Sequence, residues 1–171
     1  LLMALGQTPS PALTSSKKVF ERLGLKHTSI DTNGLDGAIP EDLSKSLNES
    51  SARYLLGNCD VVTNFGTTEH VGEWDGWPFV EAPHDLAPMD AQYEAFRNIH
   101  HLARPDGGVI VHTLPLAGCW PLHGVFEYEP AFFQALADAA GYNTIIISVH
   151  RPSHDWSQEE TSLFWSLARK S

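Results

Sequence analysis

The stretch CDVVTNFGTTEHV, Cys59 to Val71, and its continuation AFRNIHHLARPDGGVIVHTLP, Ala95 to Pro115, decide how this chain folds. The β-branched run Val61, Val62 and Thr63 between Asp60 and Asn64 predicts a short strand, Asp60 to Asn64. Met89, Tyr93, Phe96, Ile99 and Leu102 recur at helical spacing and predict a helix from about Met89 to Leu102. Pro105-Asp106-Gly107-Gly108 is a turn. Val109 to Thr113 carries apolar residues on both faces, as a central parallel strand does. Strand, helix and strand in that order make two parallel strands, whose polar ends reach one edge of a sheet.

Outward from this unit the alternation continues. Upstream, a strand is expected at Leu1 to Leu5, ending at Gly6, then a loop, Gln7 to Leu13, with Pro9 and Pro11. A helix from about Ser16 to Leu23 has Ser15 as N-cap and Gly24 as its stop. A second strand, Lys26 to Ile30, ends at Asp31. Beyond it lies a turn-rich run, Thr32 to Asp42, with a brief strand at Ala38 to Ile39, and then a helix around Ser44 to Leu56. Downstream, Pro130 opens a helix that ends near Gly141. Strands at Thr144 to Val149 and Ser162 to Ala168 follow, the last one antiparallel. The implied fold is a doubly wound α/β domain with a mostly parallel sheet spanning residues 1–171. Opening directly on a core strand, such a chain is expected to lack N-terminal helices. One sheet face would then be short of cover, and an N-terminal segment upstream of Leu1, a second copy or a partner subunit would supply it.

Composition narrows the partners. The chain has 171 residues, with 11 Lys and Arg against 21 Asp and Glu and a formal net charge of -10. An acidic surface repels phosphate backbones, so nucleic acid is not an expected partner. Lys17, Lys18, Arg22 and Lys26 read as a solvated helix face. No apolar run approaches the roughly 20 residues that span a bilayer, and no leader opens the chain. Cys59 and Cys119 are too few for a disulfide framework and read as reduced thiols of a cytoplasmic protein.

The candidate reacting groups collect on two long connections, Gly66 to Pro88 and Leu114 to Glu129, which leave the same sheet edge. Their aromatic residues, Trp74, Trp77, Phe79, Trp120 and Phe126, suit a lid over an organic substrate, with Trp74, Trp77 and Trp120 as the expected contacts. His70, His112 and His123 lie at or beyond strand ends together with Glu69. Imidazole titrates near neutrality and can take a proton from a hydroxyl or amine. One of His100 and His101 should face the buried side of its helix. Glu69, His70, His112 and His123 have metal-binding atoms, but their spacing matches no local zinc pattern such as HExxH, and no metal is expected.

From Cys59 to Pro115, and more loosely from Leu1 to Val149, the chain resembles the class I S-adenosylmethionine (SAM)-dependent methyltransferases. Glu69-His70-Val71 looks like the Glu-His dipeptide that follows this strand in many small-molecule methyltransferases. Asp31, a strand-ending acid 25 positions after Gly6, looks like the acid that binds a nucleotide ribose. By this resemblance Gly6 and Gln7 fall in the first SAM motif, and Asp31, with Asn33 beside it, holds the ribose. Asp42 and Leu43 lie where adenine is contacted, and Asn64, Phe65 and Gly66 lie near the methyl donor. The chain departs from the family in its glycine-rich loop, which is reduced to Gly6; Thr8 to Ala12 read Thr-Pro-Ser-Pro-Ala.

The resemblance implies SAM as cofactor and methyl transfer to a hydroxyl, amine or carboxylate of a small molecule. The catalytic candidates are His70, His112, His123 and Glu69. The reduced loop motivates a second expectation, a catalytically inactive methyltransferase-like binding or partner subunit. A metal-dependent enzyme using the His and Glu residues is a third.

Overall fold

Alternation of outward and inward residues builds β1, Val61–Phe65, which turns Val62 and Asn64 into the core. The computed structural model describes residues 16–73, 88–150 and 162–169. The chain divides into two compact units, Leu1–Asp42 and Leu43–Ser171.

The larger unit carries the sheet. After β1 come α2, Pro88–Leu102, β2, Val109–Pro115, α3, Pro130–Ala140, β3, Tyr142–His150, and β4, Ser162–Arg169; α1, Ser16–Arg22, belongs to the smaller unit. The sheet order is β1-β2-β4-β3. β1 and β2 are parallel, with Asn64 opposite His112. β4 lies between β2 and β3 and is antiparallel to both. Among the described strands, then, one pairing of three is parallel. β1, β2, β3 and β4 all form where the sequence places strands, and the last is antiparallel as expected.

Helix α2 forms over the expected residues, but its buried stripe is rotated. Gln92, Ala95, Asn98, Ile99 and Leu102 face inward, whereas Met89 and Tyr93 are 70% and 67% exposed. Two polar side chains displace the expected apolar ones because each satisfies buried backbone. Asn98 donates to the carbonyls of Leu43 and Lys45 and accepts from the N–H of Leu47. Gln92 performs the same service for the turn after β1, described below. The end of α2 is closed by the approach to β1: Gly57 and Cys59 donate their N–H groups to the carbonyls of His101 and Leu102. His100 is half-buried against the Tyr142 hydroxyl while His101 is exposed, as the helix face requires. α3 starts on Pro130 and stops at Gly141, which adopts φ 69 and donates to Ala137. Leu114, Tyr128 and Phe133 form an apolar cluster, with Phe96 and Phe126 packed against it.

The helix expected at 44–56 does not form. Two single 3-10 turns, Leu47–Glu49 and Arg53–Leu55, replace it. Serine side chains take the backbone donors that a helix would use: Ser46 accepts from Asn48 and Ser50 from Ala52. The smaller unit is also less regular than expected. Lys26 to Ile30 and Ala38 to Ile39 contribute only one parallel bridge, between Ile30 and Ile39. Its helix α1 forms as read, and Phe20 stacks on His27. The expected strand Leu1 to Leu5 lies outside the described residues. No helix among the described residues is long and apolar enough to cross a membrane.

Candidate active site

The site begins where β1 ends. Gly66 turns the chain at φ 60, and Thr68–His70 form a 3-10 turn. Asn64 holds that turn from below. Its amide oxygen accepts from the N–H of Thr68, and its amide nitrogen donates to Thr68 Oγ1 at 2.8 Å and to His112 Nδ1 at 2.9 Å. Gln92 holds it from the side, donating to the carbonyls of Thr68 and Val71. The Tyr128 hydroxyl donates in turn to Gln92 Oε1. Burial pushes the Tyr128 phenol well above its ordinary value, so it stays a donor.

This scaffold places Glu69 inside the protein, with 1% of its surface exposed. Neither carboxylate oxygen has a hydrogen-bond partner among the described residues. Burial pushes this carboxyl above the ordinary carboxylate range, and the neighbouring His70 opposes part of that shift. Nε2 of His70 and Nε2 of His123 each lie 3.9 Å from Glu69 Oε1. The two imidazoles meet edge to face, with ring centres 4.7 Å apart. Both are partly exposed. His70 is steadied by Glu73, whose Oε1 lies 2.5 Å from Nδ1. Burial and the nearby His70 lower the pKa of His123.

His123 arrives from the connection after β2. That loop is closed at its base by pairing of Leu116 with Tyr128 and by the Gly118 N–H donating to Glu127. It is fastened to the turn after β1 by the Phe126 N–H, which donates to the Glu69 carbonyl. Gly124 makes this approach feasible. A Cβ there would fall 2.5 Å from the Glu69 carbonyl oxygen, so only glycine fits without a shift. Trp120 stacks on His123 with ring centres 3.5 Å apart and gives the site a flat, half-exposed wall.

The structure thus brings together Glu69, His70, His123 and Trp120 and places other candidates elsewhere. His112 is buried in the core between Phe96 and Phe133, with its Nδ1 occupied by Asn64. It forms part of the scaffold beneath the turn. Asn64 is likewise buried, with its amide engaged by Thr68 and His112. Phe65 and Gly66 are exposed beside the site. Phe126 packs into the core instead of forming a lid. The Leu43 carbonyl is taken by Asn98.

In the smaller unit, Asp31 is exposed and accepts from the Asn33 N–H, while Asn33 accepts from Leu35. One Asp31 oxygen is therefore engaged in a local turn, and a carboxylate retains further acceptor positions. Asp42 is half-buried. Gly6, Gln7, Trp74 and Trp77 lie outside the described residues.

Sequence reasoning missed Glu73, Gln92 and Gly124. Glu73 carried a readable signal, an acid three positions after His70. Gln92 and Gly124 act through contacts that only the fold creates. No family model, no curated protein and no solved structure matches the chain.

Proposed function

We propose that this chain transfers a methyl group from SAM to a hydroxyl, amine or carboxylate of a small molecule. The observation that carries the reading is the buried Glu69 carboxylate with two imidazole nitrogens 3.9 Å away, at the tip of a strand paired in parallel. In open parallel α/β sheets ligands bind beyond the carboxyl ends of the strands, and this group lies beyond the carboxyl end of β1. The exposed backbone at Phe65 and Gly66 leaves room there for a cofactor to approach.

SAM supplies a methyl group on a sulfonium centre. The chain's own part is to orient the acceptor and remove its proton. Trp120 and His123 present a flat face against which a small organic acceptor stacks. The lowered pKa of His123 keeps this imidazole neutral near pH 7 and able to accept a proton. Glu69 stabilises the positive charge that the proton brings. Orientation supplies a large share of the rate in such a transfer. Two free cysteines fit a reducing, cytoplasmic setting.

The test is isothermal titration with SAM and S-adenosylhomocysteine, followed by transfer of labelled methyl to a panel of small hydroxyl, amine and carboxylic acids. Binding with turnover supports the reading. Binding without turnover across the panel favours a non-catalytic binding subunit. Absence of binding removes SAM chemistry altogether.

A further inference from the structure

Among the described residues, Glu69, His70 and His123 each point one donor atom at a common region, and these atoms lie within 4.8 Å of one another. Three observations bear on what belongs between them. Glu69 is buried and its oxygens lack donors among the described residues, an arrangement a charged carboxylate tolerates poorly without a cation. The two Nε2 atoms at 3.9 Å from Oε1 are too far for hydrogen bonds. Ligands around a tetrahedral zinc ion, bonded at about 2.0–2.2 Å, stand roughly 3.3–3.5 Å apart. Closing the set takes a contraction of about 0.5 Å in each carboxylate–imidazole separation and of up to about 1.4 Å in the widest one, which is within 4.8 Å. Finally, Glu73 accepts from His70 Nδ1, which fixes the proton on that nitrogen and turns the lone pair of Nε2 toward Glu69. A carboxylate behind a histidine is the usual support of a metal-ligating imidazole.

We propose that Glu69, His70 and His123 form a binding site for a divalent transition metal of the zinc type, with Glu73 as the positioning residue for His70. Two imidazoles and one carboxylate suit such an ion and leave a coordination position open. Glu69 and Glu73 together balance its two charges. The segments carrying the ligands are joined by the Phe126 to Glu69 bond and the close packing at Gly124, so the site is assembled by tertiary structure and not by a local motif. This deepens the methyl-transfer reading and rests on it only for the acceptor. With the ion bound, His123 acts through it as a ligand in place of taking the proton itself, and a hydroxyl at the open position would lose its proton more readily than in water.

The experiment is zinc titration of the chelator-treated full chain, with cobalt(II) as a visible-absorbance probe. The expected result is one equivalent bound with Kd below about 10 μM and cobalt bands of a four- or five-coordinate site. Glu69→Gln and His123→Ala should each weaken binding about 100-fold or more, and Glu73→Gln about 10- to 100-fold. His101→Ala, an exposed histidine outside the group, should change nothing. Circular dichroism checks each variant's fold, and His123→Ala alters only a half-buried loop side chain if Glu69→Gln disturbs the core. Absence of a one-equivalent site, or equal binding by wild type, Glu69→Gln and His123→Ala, overturns the proposal. Titration with S-adenosylhomocysteine on the same protein separates the two readings. Zinc uptake without nucleoside binding refutes methyl transfer and keeps the metal site, and the reverse result refutes the metal site alone.

Discussion

Asn64 and His112 face each other across β1 and β2 and share a 2.9 Å hydrogen bond inside the core. The amide nitrogen of Asn64 donates, so His112 accepts at Nδ1 and is neutral. Burial lowers its pKa from near 6.5 to about 3. Between those values the unfolded chain binds a proton that the folded chain refuses. Stability is therefore complete above about pH 6.5 and falls as the pH drops toward 3, by up to about 1.4 kcal/mol per pH unit. Urea unfolding at pH 7.5 and pH 5 should show this slope. His112→Asn should reduce it by one proton while costing about 1–3 kcal/mol in lost packing.

Gly124 and Gly118 lie on the same loop but should respond differently to alanine. Gly124→Ala places a methyl group against the Glu69 carbonyl and should cost about 1–3 kcal/mol and lower turnover, because the loop must lift His123 away. Gly118 has φ 77 and nothing within 4 Å of an added Cβ, so its alanine variant should lose about 1 kcal/mol through backbone strain alone. Thermal unfolding with parallel activity measurements distinguishes the two.

Tyr128, Gln92 and the carbonyls of Thr68 and Val71 form one buried chain of hydrogen bonds. Tyr128→Phe should cost about 1 kcal/mol, and Gln92→Leu about 2–4 kcal/mol, since it strands two carbonyls and a hydroxyl. The double variant should fall short of the sum by at least about 0.5 kcal/mol in a denaturant-based cycle.

Much of the larger unit was legible. β1, β2, α2 and α3 announce themselves through β-branched runs, helical spacing and the Gly141 stop. What stayed hidden depends on polar groups satisfying backbone. Gln92 and Asn98 lie outside the apolar stripe that helical spacing marks, yet both are buried because each binds loop carbonyls distant in sequence. The failed helix at 44–56 has the same origin, serine oxygens outcompeting helical bonds. For the site, Glu69-His70 was visible as a dipeptide. Its meeting with His123, 53 positions later, needed the loop to be folded back and fastened at Gly124. His112 looked reactive because a strand tip was expected to be open, whereas the Phe96 and Phe133 rings close over it.

Asp31→Ala should weaken S-adenosylhomocysteine binding by about 1.5–3 kcal/mol, the worth of a charged hydrogen bond. Isothermal titration giving an unchanged affinity would remove Asp31 from the residues proposed to bind the nucleoside.

His123→Ala should lower kcat by about 100- to 10,000-fold, as expected for loss of a proton acceptor. Trp120→Ala should mainly raise KM, because it removes a wall and no reacting group. Steady-state kinetics with the best acceptor from the panel separates the two effects.

β2 and β3 are joined only through β4, which arrives after both of them during synthesis. Until then each presents an open hydrogen-bonding edge, which a strand from another molecule can pair with. Synthesis should therefore be a hazardous interval for this sheet, with strand exchange between nascent chains competing with the arrival of β4.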